Sequence, residues 1–300
     1  MSERDPAIRP FAHLDPAAFR AAVERTSDDF DFRPVLVEKD YFCSLVLQAI
    51  CPSGVPWVFK GGTCLSKVYT DFYRLSEDLD FCIPVTDTVR RTERRRLIDP
   101  AKNLVGGLPG QIRGIELQEA LSGRNVSTQY VAAVRYRSVI TGDWEKVKIE
   151  IGMREPLMRS PASRPLRTLL RNAFTGAEMV PPFNIAVMDL SEALAEKTRA
   201  ALTRREPAIR DFFDLDFAVR KLSLSMNDPE LVTMVRQKVS MPGNGPVQLT
   251  QGRRDSLERQ RTKELGTVLK AGEAEPFDLD RIWQALVALA ERLKQPDTRG

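Results

Sequence analysis

The chain has 300 residues, 42% hydrophobic and 29% charged, the balance of a folded globular protein of one large or two ordinary domains. Its 45 basic and 41 acidic side chains leave a formal charge of +4, too mild to mark a nucleic-acid binder, yet not opposed to a polyanionic partner. Four cysteines without a CxxC pair and a single histidine, His13, argue against a Cys/His zinc site, and no apolar run reaches the roughly 18 residues of a membrane span.

Cys43, Cys51, Cys64 and Cys82 sit in apolar contexts and read as reduced core residues of a cytoplasmic protein. The opening MSERDPAIRP has no apolar stretch, so no signal peptide is expected. Residues 1–34 are polar and proline-punctuated, with a short helix over 16–25. VLVEKDYFCSLVLQAIC at 35–51 has helical spacing with a buried face. VPWVFK reads as a strand, GGT as a turn, CLSKVYTDFY as a helix and EDLDFCI as a second strand. A basic helix is expected from Arg90 toward Leu104. STQYVAAVRYRS and KVKIEIG alternate as strands. After Phe183 the period becomes helical, in DLSEALAEKTRAALTRR and AIRDFFDLDFAVRKLSL. MPGNGPVQ at 241–248 reads as a loop, and a last helix is expected over 279–293. The best boundary lies near Pro181 and Pro182.

Asp78 and Asp80 are two apart in an apolar strand, so both carboxylates share one face while Leu79 and Phe81 share the other. Two like charges side by side repel unless a cation sits between them, and hard oxygen ligands suit Mg²⁺. Upstream, Gly61 and Gly62 let backbone approach a ligand, and amides at a helix N-terminus suit phosphate oxygens. Thr63 adds a hydroxyl. In KVKIEIG, Lys148 and Glu150 share a strand face, so Glu150 is either a third metal carboxylate or half of a Lys–Glu pair on a wet face. On a helical wheel, Lys197 falls on the apolar stripe of Leu190, Leu194 and Ala201. Asp211 falls on the stripe of Leu215, Ala218 and Leu222, with Asp214 off its edge. An unpaired buried charge is costly, so Lys197 and Asp211 either pair with each other, or Lys197 reaches nucleotide phosphates with Asp211 orienting it; snorkelling of the lysine is the plainer account.

Taken together, EKDYF (38–42), FKGGTCLSKVY (59–69), SEDLDF (76–81), KIEIG (148–152), LAEKTRAAL (194–202) and RDFFDLDFAV (210–219) resemble the AbiEii/AbiGii toxin family of prokaryotic nucleotidyltransferases, which includes the MenT toxins. The resemblance spans roughly residues 35–235. It implies an α/β fold: a DNA polymerase β-like core with a mixed sheet over 35–183, after an N-terminal extension (1–34), and a helical C-terminal domain over 184–300. It implies that Gly61, Gly62 and Thr63 grip an NTP, that Asp78 and Asp80 bind Mg²⁺, and that Lys197 and Asp211 are essential. Glu150 matches the third metal carboxylate more loosely. Ser66 and Lys67 also match the motif, either touching phosphates or simply opening the helix. Members act as toxins with a cognate antitoxin, and some transfer nucleotides to the 3′ end of tRNA and block translation. Arg90, Arg91, Arg94, Arg95 and Arg96, and a second set at Arg253, Arg254, Arg259 and Arg261, would suit an RNA backbone, with a solvated helix face the slightly favoured reading. Transfer to a protein acceptor, phosphoryl transfer, and a non-catalytic nucleotide- or RNA-binding module remain as alternatives.

Overall fold

The computed structural model describes residues 11–86, 88–270 and 276–295; the MSERDPAIRP segment lies outside them. Among the described residues one seven-stranded sheet carries the core. Its strands are β1 (Val58–Lys60), β2 (Asp78–Cys82), β3 (Ile115–Arg124), β4 (Gln129–Arg137), β5 (Trp144–Gly152), β6 (Ala162–Leu166) and β7 (Phe183–Val187). Their order is β3-β4-β5-β2-β1-β7-β6. β2 runs parallel to β5 and antiparallel to β1, and β1 runs parallel to β7, so the sheet is mixed.

The first helices are α1 (Pro16–Phe30), α2 (Pro34–Ile50), α3 (Gly61–Cys64) and α4 (Arg91–Gln111). α1 starts where the Asp15 carboxylate accepts from the Ala18 amide at 3.1 Å, with Pro16 in the first turn, and stops at Asp31 in the left-handed region. α1, α2 and α4 cover one sheet face. Phe19, Val37, Tyr41, Phe42 and Ile98 meet Phe59, Leu79, Phe81, Ile149 and Ile151 there in one buried cluster. Each fully buried Leu, Ile or Phe contributes about 1.5–3 kcal/mol. The alternation that buries Leu79 and Phe81 turns Asp78 and Asp80 to the opposite face.

That face meets the remaining helices, α5 (Leu190–Thr203), α6 (Ile209–Lys221), α7 (Pro229–Ser240), α8 (Gln251–Gln260), α9 (Gly266–Val268) and α10 (Leu279–Lys294). They form a second core around Phe212, Phe213, Leu215, Val235, Leu286 and Leu289, joined to the sheet by Val58 and Cys82. α5 is capped by the Asp189 carboxylate, which accepts from the Ser191 and Glu192 amides at 3.0 and 3.4 Å.

Several elements differ from expectation. The chain turns helical at Gly61 itself. It widens into a π turn over Leu65–Tyr69 and leaves the helix before Tyr73. Asp71 and Phe72 are left-handed (φ 50° and 58°). Burial of the Phe72 ring and its amide bond to the Ser66 carbonyl at 3.0 Å hold this strained turn. β3 is unanticipated because two register shifts break its alternation and most of its side chains are exposed. β6 is a short polar edge strand containing Pro165. α7 is also unanticipated, although its start carries a clear signal: Asp228 caps the Glu230 amide and Pro229 opens the helix.

Candidate active site

Strand register builds the site. Lys60 of β1 lies opposite Asp80 of β2, and Asp80 lies opposite Glu150 of β5, so three charged side chains stand in one row about 4.8 Å apart per strand. Asp78 and Lys148 form the next row. Burial pushes the Asp80 carboxyl up to about 6, with the Glu150 and Asp78 charges adding and Lys60 opposing. Asp78 is raised too, by burial first, with Lys148 opposing. Glu150 accepts from Lys148 at 2.7 Å and from the Gln129 amide at 3.2 Å. The Lys–Glu pair therefore exists, within one row of the aspartates.

Gly61 has φ +77°, and a Cβ there would lie 2.2 Å from the Asp80 carboxylate oxygen. The backbone thus passes Asp80 at a distance only glycine permits. Gly61→Ala is expected to lower stability by about 1–3 kcal/mol and to move Asp80, seen as a fall in melting temperature together with lost transfer activity. An unchanged melting temperature would mean the turn relaxes freely. Thr63 is buried and its hydroxyl donates to the Asp78 carbonyl at 2.6 Å, tying the helix start to β2.

Lys197 lies between α5 and α6. Its ammonium donates to Asp211 at 2.9 Å and to Asp214 at 2.8 Å. Asp214, read from the wheel as off the stripe, is fully buried: Arg74 grips it in a fork of 2.6 and 2.8 Å and the Tyr73 hydroxyl donates to it. The wheel assumed one buried face, whereas α6 is also covered by the segment after the π turn, which brings Tyr73 and Arg74. Burial alone would raise the Asp214 carboxyl, but Arg74 and Lys197 outweigh it and hold it well below the carboxylate range. Burial likewise opposes the Lys197 charge, and Asp211 and Asp214 more than restore it.

Two adjoining cavities of about 260 and 160 Å³ share Lys60, Asp80, Glu196 and Arg199. The first also holds Glu150, and the second Gly61, Gly62, Lys197 and Asp211. One cleft therefore collects Gly61, Gly62, Asp80, Glu150, Lys197 and Asp211 from the residues that the sequence singles out, whereas Asp78 and Thr63 line neither cavity. Lys60, Glu196 and Arg199 are additions. Lys60 donates to Glu196 at 2.7 Å, and Glu196 also faces the buried Lys238 at 3.5 Å, which bonds Glu192 at 2.9 Å. The available signal was spacing: Glu196 and Arg199 flank Lys197 three apart on α5, and Lys60 directly precedes the glycines.

Other expected residues stand elsewhere. Lys67 is buried and donates to Asp40 at 2.7 Å and Ser44 at 2.9 Å. Ser66 is buried and donates to the Arg74 carbonyl. Neither lines the cleft; both tie the π turn to its surroundings. Arg253 donates to the Arg204 and Ala201 carbonyls at 2.6 and 3.0 Å, and Arg94 to the Val89 and Ser127 carbonyls at 2.8 and 3.0 Å, so these two arginines are spent on capping.

The donor set suits Mg²⁺ in chemistry: Asp78, Asp80 and Glu150 offer hard oxygens only, and the Asp80 carboxyl is raised by burial first and by the Glu150 and Asp78 charges second, both of which a bound cation would offset. Among the described residues no three His, Cys, Asp or Glu side chains converge as a complete ligand set.

The fold thus sets a strand-borne carboxylate pair on a mixed sheet beside a glycine turn and a lysine-bearing helix. The family model for the nucleotidyl transferase AbiEii toxin of type IV toxin–antitoxin systems matches residues 46–297, and the chain belongs to that family. Among solved structures, a candidate nucleotidyltransferase from H. pylori shares 17% identity at a TM-score of 0.51, covering 87% of this chain and 96% of that one. JHP933 from Helicobacter pylori shares 16% at 0.50, covering 87% and 93%. At such identities the likeness concerns the fold alone. No curated protein matches. Among the described residues no helix is long and apolar enough to cross a membrane.

Proposed function

We propose that the chain is a Mg²⁺-dependent toxin that transfers a nucleotide from an NTP to RNA, with the 3′ end of tRNA as acceptor and a block of translation as the result. A cognate antitoxin protein is its partner. The observation that carries this reading is the single cleft that joins Asp80, Glu150, the Gly61–Gly62 turn and Lys197. Asp78 and Asp80, with Glu150 once released from Lys148, would hold the metal. When bound, Mg²⁺ supplies charge that polarises the α-phosphate and lowers the pKa of the attacking hydroxyl. Gly61 and Gly62 lie where backbone amides can meet phosphate oxygens. Asp211 and Asp214 take two of the three Lys197 donors, which leaves one for a phosphate. The acceptor hydroxyl attacks the α-phosphorus, the bond to the β-phosphate oxygen breaks, and pyrophosphate leaves. The cleft contributes positioning and fixed charge.

The test is transfer from each of the four α-labelled triphosphates to total tRNA with Mg²⁺. Label on tRNA is the expected result. Label on protein, or none, would remove tRNA as acceptor. Lys197→Ala is expected to weaken NTP binding about 10- to 100-fold in calorimetry, the scale of one charge-assisted hydrogen bond. Unchanged affinity would return Lys197 to a structural role.

A further inference from the structure

Beyond Arg199 the cleft continues into a groove of about 400 Å³, lined by Arg154, Arg199, Arg204, Arg205, Asn244 and Gln248 among others, with no carboxylate and no aromatic ring among the described residues that line it. Arg154 and Arg199 also line the cavity with Asp80 and Glu150, and Arg199 and Arg204 the one with Lys197. The groove is built rather than left over. The 241–248 loop is tied to the end of α5 by the Gln248 amide, which donates to the Leu202 carbonyl at 2.9 Å. A Cβ at Gly245 would stand 2.9 Å from the Thr203 carbonyl, so the loop lies this close only with glycine there. Asn244 donates to the Lys238 carbonyl at 2.6 Å, which turns its oxygen toward Arg154 at 3.2 Å and Arg199 at 3.4 Å.

The four guanidiniums are poorly neutralised. Arg154 has Glu155 at 3.7 Å and Arg204 has Asp211 at 3.4 Å, whereas no ion pair is made by Arg199 or Arg205 among the described residues. The Arg199 Nε is buried without an acceptor. Burial, opposed by Glu196 and reinforced by Arg154, lowers the Arg199 pKa. Crowded guanidinium forks of this kind match phosphate oxygens. Without aromatic rings to stack on, the ligand contact is with a phosphate backbone rather than with bases. Lys197 and the Gly61–Gly62 turn line a separate cavity, which meets the groove at Arg199 and Arg204.

We propose that this groove binds the phosphodiester backbone of the RNA acceptor and leads its end past Arg199 to Asp80. The proposal rests on the RNA-acceptor reading above. Its test is a titration of a fluorescein-labelled single-stranded RNA against the full chain at several salt concentrations, without turnover. In the Arg205→Gln variant, RNA affinity is expected to fall about 5-fold at 0.1 M salt, and the slope of log K against log salt by about 0.7, from one contact. NTP affinity and melting temperature should not change. Arg205→Glu, an exposed charge reversal, should weaken RNA binding in the same direction. A parallel fall in NTP affinity would make the groove a triphosphate site and overturn the proposal, as would unchanged RNA affinity or a wild-type chain without salt-dependent RNA binding. Since binding is read without catalysis, intact binding with no label transferred to RNA would overturn the reaction assigned above and leave the groove standing.

Discussion

Asp80→Asn is expected to abolish nucleotide transfer while making the protein without metal more stable at neutral pH. In the metal-binding role proposed for Asp80, loss of its carboxylate would remove several kcal/mol of transition-state stabilisation, about 10³-fold or more in rate. The stability change has the opposite sign because of where the side chain sits. Burial and the Glu150 and Asp78 charges raise the Asp80 carboxyl from its ordinary 3.8 to about 6. A carboxyl with a raised folded-state value binds its proton more tightly when folded. Its ionisation therefore costs stability, and the cost grows as pH rises from about 4 to about 6 and is fully present above that. At most it amounts to about 2–3 kcal/mol. Thermal melts at pH 7.5 should place the asparagine variant above the wild type, and the two should converge near pH 4. Mg²⁺ should raise the melting temperature of the wild type alone. A variant that melts lower at pH 7.5 would show that Lys60 and Lys197 outweigh the crowding, and the cation site would lose its electrostatic support.

Asp214→Asn should produce the largest loss of stability. It leaves the Arg74 guanidinium and the Lys197 ammonium facing a neutral amide in a fully buried position. Breaking a buried pair in this way costs about 3–5 kcal/mol, because a charge stays in the interior without its partner. In a chain of this size that is a fall of roughly 5–8 °C. Arg74→Met should cost a similar amount, and the double variant clearly less than the sum. Additive losses would show that the two side chains do not depend on each other. Lys197 should also lose its orientation, so nucleotide affinity should drop even at temperatures where the variant remains folded.

The individual charged positions differ in how far the sequence alone could place them. The face shared by Asp78 and Asp80 follows from strand alternation, since Leu79 and Phe81 must be buried on the other side. Gly61 reads as a special backbone position from its place between a strand and a helix. Lys197 and Asp211 are legible because each breaks an apolar helical stripe, and a buried charge demands a partner. These are local arguments, and one period of one element suffices for each.

The neighbours are another matter. That Lys60, Asp80 and Glu150 stand in one row depends on strand order and register across residues far apart in the chain. Ser66 and Lys67 match the same motif as Gly61, yet the π turn directs them to the Arg74 carbonyl and to Asp40, away from the cleft. Asp214 looks peripheral on its own helix and becomes the centre of a buried cluster only because Tyr73 and Arg74 arrive from another segment. The arginine groove likewise exists only where the 241–248 loop folds back on the end of α5. Hydrophobic periodicity sets which side of an element is buried; which charges then share the remaining space is decided by long-range pairing, where the cost of an unpartnered buried charge selects the arrangement.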